Sequence, residues 1–201
     1  WLQIRRQRPD WVLMWGWGVM NQVAIKEAAS IRYPMDHFIG VWWSGSENDV
    51  LPAGEKAHGY LSGSFHAAGN NFPVHDDIRK HVYDKGNGSG DRDRIGEVLY
   101  NRGMVAAMWT TEAIRNAMKI HGTKEVRGEH VRDGFEALNV DENRLRELGL
   151  PNFTYPVKIT CENHEGPAKV AIQQWDAKKK EWKMITGFYD SMRDIVDPLI
   201  E

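Results

Sequence analysis

The chain has 201 residues, 41% hydrophobic and 27% charged, a globular composition long enough for one ordinary domain or two small lobes and unlike that of a disordered segment. Its formal net charge of −2 gives nothing global that favours nucleic acid or an anionic membrane surface. No run approaches the roughly 20 apolar residues of a membrane span, and a single cysteine, Cys161, excludes an intrachain disulfide and a cysteine-based zinc knuckle.

The chain opens on WLQIRRQRPDW, with no apolar core segment of a signal peptide after the arginines. DWVLMW follows Pro9 and reads as a short strand. VMNQVAIKEAASIRY reads as a helix with Val19, Val23, Ala24 and Ala28 along its apolar face and Pro34 just past its end. HFIGVWW is a second apolar run, closed by the turn-rich SGSEND. Strand, helix, strand makes a βαβ unit with parallel strands, and such sheets bind ligands beyond the carboxyl ends of the strands. The first run ends on Trp15-Gly16-Trp17 and the second on Trp42-Trp43-Ser44. Both tryptophan pairs therefore fall at the carboxyl edge of neighbouring strands. A tryptophan offers a large rigid face and one N–H donor, so the pairs read as pocket wall. The glycines between them let backbone approach whatever sits there.

GYLSGSFHA, from Gly59 to Ala67, reads as a further strand. FPVHDDIRKHVYDKG is a helix with Pro73 in its first turn, Asp76 and Asp77 early, and Gly86 at its end. NGSGDRDR is an exposed loop. The strongest helical pattern runs from Glu97 to His121, with Met104, Met108, Thr111, Ile114 and Met118 at helical spacing and Gly122 as its stop. Thr123 reads as the cap of another helix, KEVRGEHVRDGFEAL, which Gly128 and Gly134 weaken. After Pro151, YPVKITC and AKVAIQQWD alternate like strands, with Cys161 expected to be buried in the first. KKKEW is a charged turn into KMITGF, and DSMRDIVDPLIE is expected to be a docked tail.

The chemistry-bearing motifs are absent or incomplete. The eight histidines include no helical pair at i, i+4 with a following glutamate, HEGP at His164 is not the metalloprotease pattern, and His75 and His81 lie six apart on a predicted helix. There is no G-x-S-x-G elbow and no phosphate-cradling loop with its lysine. WGWGVMN lacks the third glycine of a dinucleotide fingerprint, and its tryptophans would collide with a pyrophosphate. Glu47, Asp49 and Glu55 read as solvated loop carboxylates in preference to a general acid or base.

The order of elements carries a resemblance. PDWVLMWGWGVMNQVAIKEAASI with HFIGVWWSGSEN resembles the second lobe of type I solute-binding proteins of ABC importers, the leucine/isoleucine/valine-binding group. GYLSGSFHAAG resembles the strand by which that family's chain returns to the first lobe, LYNRGMVAAMWTTEAIRNAM its long first-lobe helix, and NHEGPAKVAIQQWDAKKKEWKMI its closing segment. The resemblance covers nearly the whole chain. It implies an α/β, type I periplasmic-binding-protein fold of two Rossmann-like lobes with parallel sheets and a hinge, of which this chain is about the second half. Residues 1–60 would be second-lobe βαβ, 61–155 a helix-rich return to the first lobe, and 156–201 closing strands and tail. Hinge crossings would fall near Gly59–Ala68 and Tyr155–His164.

The resemblance further implies a ligand site at Trp15, Gly16 and Trp17, at Trp42, Trp43 and Ser44, and at Tyr100 and Asn101 at the mouth of the long helix. The family's second strand often leads to a glutamate that pairs with a ligand ammonium; here Trp42 or Trp43 stands there and the nearest acid is Glu47. A charge-assisted partner worth roughly 1.5–3 kcal/mol is thereby missing, which points from a plain branched-chain amino acid toward a small amino-acid-like, amide or aromatic-carboxylate ligand stacked on tryptophan. The implied role is capture by hinge closure, with membrane permease subunits as partners, a periplasmic setting, no cofactor and no catalysis. The rivals are a ligand sensor of the same fold, an α/β hydrolase using His58, His66 or Glu47, and an interaction module with tryptophans at its interface.

Overall fold

A computed structural model describes residues 1–200. Helix α1, Leu2–Gln7, leads into strand β1, Val12–Met14. Helix α2, Val19–Ser30, then returns the chain to β2, Phe38–Gly40, which pairs parallel to β1. This is the βαβ unit expected from the sequence. The buried face of α2 is nonetheless different: Asn21, Ile25 and Ala28 point inward at i, i+4, i+7, whereas Val19 and Val23 are exposed. Apolar residues occupy both sides of this helix, and the side that carries Asn21 is chosen because that amide is needed by the turns beneath it.

Helix α3, Glu47–Val50, follows the Trp42–Ser44 turn, and β3, Leu61–Ser64, adds parallel to β2. The boundary expected at residue 60 thus falls inside a continuous sheet, and the chain leaves it only after Ser64. Residues 65–170 build a second layer. It contains α4 (Pro73–His81), α5 (Val98–His121), α6 (Gly128–Glu136), the β4 (Asn139–Val140) and β5 (Val157–Lys158) pair, and α7 (Glu142–Glu147). The chain then returns to the sheet as β6, Ala171–Asp176, antiparallel to β3, and β7, Glu181–Met184, antiparallel to β6, for an order β1-β2-β3-β6-β7.

Helix α5 stops where expected, at Gly122 in left-handed backbone with φ 63°. Thr123 does not cap α6. Its hydroxyl accepts from the Glu125 N–H at 3.0 Å in a local turn, and the helix starts at Gly128. Gly134 has a packing reason: a Cβ there would lie 2.0 Å from the Ala113 carbonyl oxygen, so α6 lies directly on the backbone of α5. The expected strand through Cys161 shortens to Val157–Lys158. Ile159 N–H turns to the Leu138 carbonyl and Thr160 closes a turn with Asn163, which leaves Cys161 exposed. The tail is held by polar contacts at Arg193 while Ile195, Val196, Leu199 and Ile200 are exposed, so helix α8, Arg193–Val196, buries nothing.

There are two hydrophobic clusters. One joins Ile25, Phe38, Val50, Tyr60, Trp175 and Trp182 under the sheet and also takes Val98, the first residue of α5. The other joins Val105, Met108, Leu138, Leu145, Phe153 and Val157 in the second layer. Long helix α5 therefore begins in one core and runs through the other. Among the described residues no helix is long and apolar enough to cross a membrane.

Candidate functional site

Strand alternation sends Val12 and Phe38 into the core and Leu13 and Ile39 to the opposite face. That opposite face is the floor of a cavity of about 710 Å³. Leu13, Ile39, Val41, Val170 and Ile172 line the floor, and Trp15 and Trp42 rise from the ends of β1 and β2. The far wall comes from the second layer: Phe65 just after β3, Trp109 on α5 and Tyr155 before β5. Trp15 and Trp42 meet edge to face, centroids 5.9 Å apart at 73°. A wall of this kind offers apolar contact to a flat or branched body.

The two tryptophan turns are fixed from below by buried hydrogen bonds. Asn21, fully buried, donates from Nδ2 to the Trp43 carbonyl at 2.8 Å and to Asp49 Oδ1 at 2.9 Å. Ser44 Oγ donates to the Gly16 carbonyl at 2.7 Å and lies 3.1 Å from Asn21 Oδ1, which ties the first turn to the second. Tyr60 donates to the Ser44 carbonyl at 3.0 Å, Gln173 to that of Gly45 at 2.8 Å, and Ser62 to that of Val41 at 3.0 Å. Asp49 is buried, not solvated; its carboxylate is satisfied by Asn21 and by the Ser46 amide and hydroxyl. Each buried carbonyl of the turn thereby has a donor, and Trp42 is presented on a rigid base.

Second-layer contacts brace the same turn. Arg102 on α5 donates to the Trp42 carbonyl at 2.7 Å, and its guanidinium packs 5.6 Å from the Trp43 ring and 5.5 Å from that of Phe65. Glu47 accepts from the Val98 N–H at the start of α5, at 3.1 and 3.3 Å. Burial pushes the Glu47 carboxyl up to about 7, partly offset by backbone donors. Glu47 is thus a helix-terminus contact and not the solvated carboxylate expected from the sequence.

Of the eight residues expected at the site, the structure brings Trp15 and Trp42 into the cavity wall. The other six stand outside it. Trp17 is exposed, and Trp43 turns its face to Arg102. Gly16 makes room for Asn21, since a Cβ would lie 2.7 Å from Asn21 Oδ1, so its missing side chain serves intramolecular packing. Ser44 is consumed in the network above. Asn101 is fully buried, taking a bond from His75 Nε2 at 2.9 Å and donating to the carbonyls of Gly69 and Ala67. Tyr100 is half-buried near Tyr83 and Arg79, which raises its phenol by burial. Tyr100 and Asn101 do not line this cavity; α5 presents Trp109, more than two turns further on, to it. Phe65 at a strand end was open to the same rule that selected Trp15. Trp109, Tyr155 and Lys169 carry no comparable local signal.

The groups weighed for hydrolysis have other work. His66 is fully buried, bonded through Nδ1 to the Ala67 carbonyl at 3.0 Å and stacked on Phe153, and burial lowers it to about 4. His58 faces Asp176 at 3.7 Å on the surface. Among the described residues no three histidine, cysteine or carboxylate groups are placed to hold a metal ion. The wall's two charged side chains, Glu165 and Lys169, are both paired within the chain, with Arg193 and Asp190.

A family model described as periplasmic binding protein matches residues 1–180. A solved structure described as an ABC transporter permease from the Pseudomonas fluorescens group is 40% identical, with a TM-score of 0.90 over 100% of this chain and 48% of that one. A branched-chain amino acid ABC transporter protein from Thermus thermophilus with bound valine is 18% identical, with a TM-score of 0.73 over 96% of this chain and 50% of that one. A solute-binding protein of an ABC transporter from R. palustris in complex with benzoate is 14% identical, TM-score 0.59, over 93% and 45%. The last two likenesses speak to the fold alone. No curated protein matches. The chain spans about half the length of the solved structures it resembles.

Proposed function

The chain belongs to the periplasmic binding protein family, and from that premise we propose that it forms part of the substrate-binding component of an ABC importer, capturing a small ligand with an apolar or aromatic body. The observation that carries this reading is the cavity wall. Trp15 and Trp42 stand at the carboxyl ends of parallel strands, and Phe65, Trp109 and Tyr155 face them from the second layer. A ligand between the two walls makes contacts that neither wall makes alone, so it favours the closed arrangement by its differential affinity. The chain passes between sheet and second layer after Ser64 and again before Ala171, and those crossings are the natural hinge. The closed form is then read by permease subunits, and the setting is the periplasm. Chemistry on the ligand is no part of this account; the serine hydroxyl on the cavity wall, that of Ser64, donates to the His66 carbonyl. The neighbours with valine and benzoate bound suggest a first panel: valine, leucine, benzoate, phenylacetate and the matching amides. Isothermal titration of the purified protein with that panel is expected to give saturable one-site binding to at least one member and no turnover. Turnover of an amide or ester, abolished by His66→Ala, would replace this reading with the hydrolase.

A further inference from the structure

The two charged residues of the cavity wall share one neighbour, the segment from Phe188 to Arg193. Phe188 packs edge to face on Tyr155, centroids 5.1 Å apart. Tyr189 exchanges backbone hydrogen bonds with Val170 at 2.8 and 3.1 Å. Asp190 meets Lys169 Nζ at 2.7 Å, and Arg193 meets both Glu165 and Asn163. This segment therefore forms a strap against the outside of the cavity wall, gripped by a ring and by backbone as well as by its charges.

The two ion pairs differ in a way that has consequences. The Lys169 side chain is only 30% exposed and lies on the wall, whereas its partner Asp190 is 79% exposed and reaches in from water. Such a pair contributes little, because the aspartate recovers its hydration when it leaves. Glu165 is the reverse case: it is 72% exposed, and its partner Arg193 holds a second bond to Asn163. An anion that enters the apolar cavity loses its hydration and needs a counter-charge. Lys169 is the cationic side chain of the wall, and a pair formed on that apolar wall would sit in a lower dielectric than the one with exposed Asp190 that it gives up. The contacts of Phe188 and Tyr189 do not depend on Asp190, so they would hold the strap if that carboxylate turned outward.

We propose that Lys169 reads an anionic group on the ligand, that Asp190 is a resident competitor which this group displaces, and that the ligand is accordingly an apolar or aromatic monocarboxylate. The proposal rests on the binding reading above and adds to it a charge sign, a reading residue and an internal competitor.

The test is titration of the purified protein with acid and amide pairs of the same shape, benzoate with benzamide and phenylacetate with phenylacetamide. The acid of at least one pair is expected to bind roughly tenfold more tightly than its amide. Lys169→Met is expected to erase that preference, and Lys169→Arg to keep most of it. Asp190→Asn is expected to tighten the acid by about threefold and leave the amide unchanged, because it removes a competitor and no ligand contact. Equal binding of acid and amide, a preference that survives Lys169→Met, or a weaker acid in Asp190→Asn overturns the inference while leaving a binding protein. Absence of binding by every member of both pairs and of the wider panel overturns the binding reading itself.

Discussion

Replacing Gly40 by alanine probes the chain of contacts from the strand edge to the cavity. Gly40 lies in β2, where its backbone is ordinary strand, so the cost of a side chain is one of space. A Cβ there would stand 2.2 Å from the Tyr60 hydroxyl oxygen and 2.6 Å from Ser44 Cβ. Ordinary carbon contacts need about 3.5 Å, so the hydroxyl must retreat by about 1 Å. Tyr60 has no room to do so. It is fully buried, with Phe38 and Trp182 rings at 5.1 and 6.1 Å. Overpacking of this kind costs about 1–3 kcal/mol. Loss of the Tyr60 bond to the buried Ser44 carbonyl adds about 1–2 kcal/mol. Gly40→Ala is therefore expected to destabilise by about 2–5 kcal/mol in urea unfolding, and to alter tryptophan emission because the displaced turn carries Trp42 and Trp43. Tyr60→Phe alone is expected to cost about 1–2 kcal/mol. In the Tyr60→Phe background the nearest remaining ring atom is Tyr60 Cζ at 3.3 Å, so Gly40→Ala should cost at least about 1 kcal/mol less, though not zero, because Ser44 is still close. Strict additivity of the two substitutions, or a Gly40→Ala cost below about 0.5 kcal/mol, would refute this reasoning.

Glu47 supplies a pH prediction. Burial raises its carboxyl from 4.5 to about 7, so the folded protein holds this proton more tightly than the unfolded chain does. Its contribution is fully present below pH 4.5 and is lost as pH rises through 7. Glu47→Gln keeps an acceptor for the Val98 N–H and removes the charge. With the carboxyl partly solvated, it should raise stability at pH 8 by about 1–2 kcal/mol and leave pH 4 unchanged; equal changes at both pH values contradict the assignment. Gly134→Ala gains helix propensity of about 1 kcal/mol but drives a Cβ into the Ala113 carbonyl, 2.0 Å away. Calorimetry should show a net loss of roughly 2 kcal/mol or more, and an unchanged or higher Tm would mean α5 and α6 are not packed backbone to backbone. Arg102→Met keeps the apolar stem and removes the bond to the Trp42 carbonyl, for a loss of about 1–2 kcal/mol. Arg102→Lys should not restore it, because an ammonium cannot both stack between two rings and reach that carbonyl; full recovery in the lysine variant would sink this account.

What was legible in the sequence is what local pattern encodes. The βαβ unit showed in two short apolar runs around a helical one, and α5 showed in 24 residues of periodicity closed by Gly122. The inward face of α2 was hidden because a polar residue, Asn21, takes the buried position to serve the Trp43 carbonyl and the Asp49 carboxylate, both more than 20 residues away. The roles of Gly16 and Gly134 were hidden for the same reason: what each glycine makes room for comes from another element. Cys161 looked buried because alternation cannot say where a strand loses its partner. Strand-end position pointed to Trp15 and Trp42, which the structure places in the cavity wall. Trp109, Tyr155 and Lys169 reach the same cavity from distant segments, and only the tertiary fold brings them together.

The central claim, that this cavity is where a small molecule is bound, is tested most directly by intrinsic tryptophan fluorescence. The protein and its Trp15→Ala, Trp42→Ala and Trp17→Ala variants would be titrated with the acids, amides and amino acids named above. The account predicts a saturable emission change with at least one ligand class, weakened about tenfold in Trp15→Ala and Trp42→Ala and retained in Trp17→Ala, whose side chain lies outside the wall. No saturable response in the parent protein, or an affinity untouched by both wall substitutions, would contradict it.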